Sequence, residues 1–102
     1  MGMRYNKLVR DRIPDIIRAR GKTPIVHIAD EAEYWKKLKE KLFEEAKEFD
    51  ESETPEEMAD ILEVIHAIIA CKRWDREMLR EIQYKKASER GRFEKRIILD
   101  EA

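Results

Sequence analysis

Two acidic pairs carry the chemical information in this chain: Glu45 with Glu48, and Glu57 with Asp60. Each pair has an i, i+3 spacing, which on a helix sets both carboxylates on one face. If the two segments are neighbouring helices, the two faces can converge on a common centre. At roughly 100° per residue, Leu38, Leu42, Ala46 and Phe49 share one apolar arc, with Glu45 on its border beside Leu38 and Glu48 a little beyond. The second arc holds Met58, Ile61, Leu62, Val64, Ile65, Ile68 and Ile69; Glu57 falls between the directions of Val64 and Ile68, and Asp60 at the edge. The flanking acids Glu44, Glu56 and Glu63 point away from these arcs or toward their polar sides.

Carboxylates along an apolar seam are costly unless something neutralises them. A cation is the simplest answer. Three or four oxygen ligands with retained waters suit Mg²⁺, with Mn²⁺ able to take its place, whereas zinc would call for His or Cys. The competing assignment is purely local: Glu57 as a capping glutamate, Asp60 as partner to a lysine or arginine, Glu45 and Glu48 as a solvated helix face. Cys71 has no base near it in sequence and reads as a small apolar residue. His27 and His66 read as structural or surface residues, and Trp35, Trp74, Tyr34 and Phe93 as core or subunit-interface residues that could alternatively stack on a base.

The elements that must position the acids are mostly helical. Residues 3–12 have no clean period and read as an ordered arm. Pro14 suits the first turn of a short helix through Ile16, Ile17 and Arg20 that stops at Gly21. Asp30 and Glu33 form a capping pattern ahead of Trp35, Leu38, Leu42, Ala46 and Phe49, so a long helix is expected over about 31–49. A turn over 50–53 follows. Thr54, Pro55 and Glu57 then occupy the N-cap, first and third positions of a second long helix reaching about Cys71. Asp75 caps a third long helix, carrying Met78, Leu79 and Ile82 and ending near Gly91. Two segments, near 25–29 and 95–99, are rich in β-branched residues and read as extended, with pairing between them an option.

The expected fold class is therefore all-α, an antiparallel helical bundle with those two short extended segments, in one domain spanning 1–102. The chain has 102 residues, 44% of them charged and 42% hydrophobic, which suits amphipathic helices rather than a β-sandwich or a disordered tail. So small a domain buries a modest fraction of its surface, and a homodimer or higher homo-oligomer is expected. The net charge of -1 gives no global field toward nucleic acid polymers or anionic membranes. A single cysteine, no secretory leader and no apolar run long enough to span a bilayer point to a cytoplasmic protein.

The run KLFEEAKEF followed by EEMADILEVIHAI resembles the Glu-Glu-x-x-Glu and Glu-x-x-Asp signature of the all-α nucleoside triphosphate pyrophosphatases, which include MazG-like proteins and phosphoribosyl-ATP pyrophosphohydrolase. The opening YNKLVRDRIPDII and the closing KKASERGRFEKRIIL are similar to the two ends of a MazG-like subfamily labelled phosphoribosyl-ATP pyrophosphohydrolase-like, so the likeness covers nearly the whole chain. It departs in two places. Eight residues separate Glu48 from Glu57, fewer than is usual in the superfamily, and Arg90-Gly91-Arg92-Phe93 stands where the subfamily tends to show Arg-Gly-Gly-Phe.

What the resemblance implies is an Mg²⁺-dependent hydrolase cleaving a nucleoside triphosphate to monophosphate and pyrophosphate, in nucleotide-pool house-cleaning. Glu45, Glu48, Glu57 and Asp60 would hold the metal, and Glu45 or Glu48 would orient or deprotonate the attacking water. Lys86 and Arg90, with Lys7 and Arg10 in the opening arm, would contact the phosphates; their bland alternative is a solvated basic face. Two other outcomes are weighed: hydrolysis of phosphoribosyl-ATP in histidine biosynthesis, and a helical oligomerisation module without catalysis.

Overall fold

The computed structural model describes residues 3–102. Among these residues the ordered elements are all helical: α1 (Ile13–Ala19), α2 (Glu31–Ser52), α3 (Pro55–Lys72) and α4 (Arg76–Arg90). Each helix boundary has a local cause. Pro14 sits in the first turn of α1, and past its end Gly21 adopts a left-handed φ of 82° while its N–H donates to Arg18 O at 2.9 Å. That left-handed step is where glycine avoids the steric cost of a Cβ.

At the start of α2 the Asp30 carboxylate accepts from the Glu33 N–H at 2.8 Å, satisfying one of the donors the first turn leaves without a partner. The helix then runs past Phe49 to Ser52, so the turn expected over 50–53 shrinks to its last residue. Glu53 takes the left-handed conformation (φ 55°) and its N–H closes on Phe49 O at 2.7 Å. Asp50, Glu51 and Ser52 can stay helical because Thr54 already begins the next helix: its Oγ1 accepts from the Glu57 N–H at 3.3 Å. Glu53 and Thr54 are thus the whole connection, and so short a link folds α3 back along α2 as an antiparallel hairpin.

Two compact units are present, Met1–Cys71 and Lys72–Ala102. The first contains α1, the hairpin and the arm; its buried apolar residues are Leu38 on α2 and Val64 on α3, of which Leu38 is 1% exposed. In the second, Asp75 caps α4 by accepting from the Glu77 N–H at 3.0 Å, and Gly91 (φ 82°) ends it through a bond from its N–H to Ala87 O at 2.8 Å.

The segments near 25–29 and 95–99 are not strands, and no strand occurs among the described residues. Ile25 and Ile28 are 99% and 94% exposed, and Ile97, Ile98 and Leu99 are also largely exposed. β-Propensity expresses the fit of a side chain to a paired, half-buried surface. Neither segment enters a ladder, so the preference goes unused.

Candidate metal centre

The hairpin brings the acids of α2 and α3 together. One carboxylate oxygen each from Glu45, Glu57 and Asp60 lie within 4.8 Å of one another. Glu45 is the most enclosed of the three, 6% exposed, and stands among the buried residues with Leu38 and Val64. Helical spacing alone puts Ala46 in the apolar arc and Glu45 on its border. Instead Ala46 is exposed and Glu45 is buried, because the covered face of α2 runs through Leu38, Lys41, Leu42, Glu45 and Phe49.

Enclosure leaves these carboxylates short of partners. Glu45 Oε1 lies 3.3 Å from Lys41 Nζ, but Glu45 Oε2 and Glu57 Oε2 are buried without a hydrogen-bond partner. A buried acceptor in that condition carries its full desolvation cost. Burial first, and then the neighbouring Glu48 carboxyl, push the Glu45 pKa up, against the opposing pull of Lys41. Glu48 therefore borders Glu45 while standing outside the group of three whose oxygens converge.

Asp60 is paired as well as clustered: Arg10 Nη2 donates to its Oδ1 at 2.8 Å. The local alternative foreseen for Asp60, an arginine partner, is thus realised together with the clustering. Glu44, expected to face away, is not in the cluster. It accepts from Lys7 Nζ at 3.0 Å and lies 3.4 Å from Lys41 Nζ. Burial pushes its pKa up, but the Lys7 bond and the charges of Lys41 and Lys7 outweigh burial, and the net direction is downward.

The cation contacts of the arm were not legible in advance. Lys7 and Arg10 were expected at substrate phosphates, whereas here they reach Glu44 on α2 and Asp60 on α3, and Lys37 Nζ donates back to Asn6 O at 2.7 Å. Lys37 and Lys41 on α2 keep side-chain exposures of only 16% and 17%. The signal available was the i, i+4 spacing of Lys41 and Glu45, which places a cation beside the most buried acid.

Lys86 and Arg90 belong to the second unit, on α4. Arg90 lines a shallow cleft of about 420 Å³ with Arg92, Lys95, Glu94, Gly91, Ala87 and Ile97. Cys71 is a free thiol, half-buried, and His27 Nε2 approaches Glu33 at 2.9 Å on the surface.

The donor set fits a hard divalent cation. Oxygens on opposite sides of an octahedral Mg²⁺ are roughly 4 Å apart, twice a bond of about 2.1 Å, so oxygens grouped within 4.8 Å need only small side-chain movements to meet one ion. The orphaned Oε2 atoms of Glu45 and Glu57 are the kind of acceptor such an ion satisfies, and all three residues offer oxygen rather than sulfur or imidazole. Counting Glu48, four carboxylates stand here against two cations in direct contact with them, Lys41 on Glu45 and Arg10 on Asp60, so the local charge also favours a positive guest.

No helix among the described residues is long and apolar enough to cross a membrane. Comparison with known proteins finds no matching family model and no matching solved structure. The chain is similar to an uncharacterized protein of Mycolicibacterium smegmatis, 48% identical over 48 residues, a stretch covering 47% of this chain and 49% of that protein. The match thus spans about half the length of the curated relative.

Proposed function

We propose that this chain is a divalent-cation-dependent nucleoside triphosphate pyrophosphohydrolase, with Mg²⁺ as the resident ion and Mn²⁺ as a substitute. The observation that carries the reading is a buried, unpartnered oxygen on each of Glu45 and Glu57, two residues whose carboxylates group with that of Asp60 between two helices. A fold that only needed a stable hairpin would gain by placing apolar side chains there, since replacing buried charges by well-packed hydrophobes is often neutral or stabilising.

Glu45, Glu57 and Asp60 are the residues that would hold the ion. When bound, it supplies neutralisation of the triphosphate and of the departing pyrophosphate. Glu48, beside Glu45 but outside the converging trio, is left to orient a water and take its proton. The water oxygen forms a bond to the α-phosphorus as the bond from that phosphorus to the bridging oxygen breaks. The bridging oxygen leaves with the β- and γ-phosphates as pyrophosphate, and Glu48 passes its proton to solvent.

The same reading includes a second copy of the chain and a cytoplasmic setting where nucleotides are abundant. On α3 the covered residues include Glu57, Ile61, Val64 and Ile68, while Met58, Leu62 and Ile65 stand exposed. Those three exposed residues are the natural place for a subunit contact.

Pyrophosphate release from a panel of nucleotides, phosphoribosyl-ATP included, tests the proposal. We expect Mg²⁺-dependent turnover by the wild type and a loss of at least a hundredfold in Glu48→Gln and Asp60→Asn. No turnover on any nucleotide, or full activity in both variants, would refute it.

A further inference from the structure

The arm over residues 6–10 is tied to the hairpin at three polar points. Asn6, in a left-handed conformation (φ 45°), offers its carbonyl to Lys37 Nζ at 2.7 Å; Lys7 Nζ reaches Glu44 at 3.0 Å on α2; Arg10 Nη2 reaches Asp60 at 2.8 Å on α3. Leu8 and Val9, between the two cations, are half-buried. The arm therefore straps both helices that supply the acidic cluster, and its last anchor is one of the three clustered carboxylates themselves. Lys7 lies in the same field: its ammonium is held charged first by its bond to Glu44, and Glu48 and Glu45 add to that pull.

We propose that this arm is an internal counter-ion of the acidic cluster, and that Arg10 competes with a divalent cation for Asp60, so that arm docking and cation binding oppose one another. This rests on the reading of Glu45, Glu57 and Asp60 as a cation site. The physical reason is charge. A guanidinium hydrogen-bonded to a carboxylate stands on the order of 5 Å from an ion bound to that carboxylate, and a +1 and a +2 charge at that separation repel even in water-like surroundings.

Their coexistence is therefore unfavourable by about tenfold in the cation's binding constant. An ion that enters loosens the strap, and a docked strap weakens the ion. Release also turns Arg10 from a partner of Asp60 into a free cation at the rim of the site. The contact is at the surface, with Arg10 58% and Asp60 39% exposed in their side chains, so exchange requires no opening of the core.

The experiment uses the full chain, with Mg²⁺ titrated by calorimetry and hydrogen exchange followed at residues 3–12 with chelator and with saturating Mg²⁺. We expect Arg10→Gln to bind Mg²⁺ about tenfold more tightly than wild type, and Arg10→Lys, which keeps the charge, to stay within about threefold of it. In the wild type, saturating Mg²⁺ should speed exchange of the arm amides several-fold. Unchanged or weaker binding by Arg10→Gln, or arm protection that holds or rises with Mg²⁺, overturns the strap while leaving the cation site standing. A wild type that binds no divalent ion overturns both.

Discussion

Replacing Glu45 by glutamine separates what that side chain costs the fold from what it offers a ligand. In the wild type one oxygen faces Lys41 at 3.3 Å while the other is buried without a partner. An unsatisfied buried acceptor costs about 1–3 kcal/mol, more when charged. Glutamine keeps the shape, accepts from Lys41, and can donate its amide to Glu48. We therefore expect Glu45→Gln to be more stable than wild type by about 1–2 kcal/mol at neutral pH in chelator, a rise in Tm of about 4–8 °C for each kcal/mol in a domain of this size.

The gain should depend on pH with a definite sign. Burial raises the folded-state pKa of Glu45 above its unfolded value, so between the two values the folded protein binds more protons and wild-type stability falls as pH rises. The advantage of glutamine is absent in acid, grows as pH climbs through that window, and is complete above the folded pKa. Thermal melts at several pH values measure it directly. Adding Mg²⁺ at a hundred times its dissociation constant should stabilise the wild type by about 2.7 kcal/mol and the variant far less. A variant less stable than wild type in chelator at neutral pH, or one that gains as much from Mg²⁺, would refute the reasoning.

Other expectations follow from the same packing. Leu38→Ala empties the most enclosed apolar position and should cost about 2–5 kcal/mol in denaturant unfolding. Glu53→Gly relieves a left-handed non-glycine residue in the α2–α3 link; relief of about 1 kcal/mol less about 0.5 kcal/mol of added unfolded-chain entropy leaves a net gain near 0.5 kcal/mol, readable by thermal melts. Leu62→Glu, at a half-exposed position of α3, should leave helicity unchanged by circular dichroism while weakening self-association in sedimentation.

Helix positions were legible in the sequence because their stops and starts are local chemistry. Asp30, Thr54 and Asp75 act as caps where expected, and Gly21 and Gly91 end helices where expected. The end of α2 lies beyond the expected turn because the polar run Asp50–Glu51–Ser52 has no helix-breaking residue, and Glu53 is where the chain leaves the helix. The segments near 25–29 and 95–99 read as extended because β-branched content reports a preference that a partner strand must realise.

At the candidate site, the i, i+3 spacing was enough to put Glu57 and Asp60 on one face, and the hairpin does bring them to Glu45. What spacing could not give was the rotation of α2, which buries Glu45 in place of Ala46 and leaves Glu48 at the margin. That rotation is set by packing against α3. Nor could it give the long-range pairs Lys7–Glu44 and Arg10–Asp60, which depend on the arm's path and have no periodic signature.

A titration of Mn²⁺ into the full chain, followed by loss of the free-ion electron paramagnetic resonance signal, bears most directly on the three grouped carboxylates. Wild type should bind one ion per chain, Mg²⁺ should displace it, and Glu57→Gln and Asp60→Asn should each weaken it by at least tenfold with helicity intact. No bound ion in the wild type, or binding equal in all three proteins, would contradict a metal centre between α2 and α3.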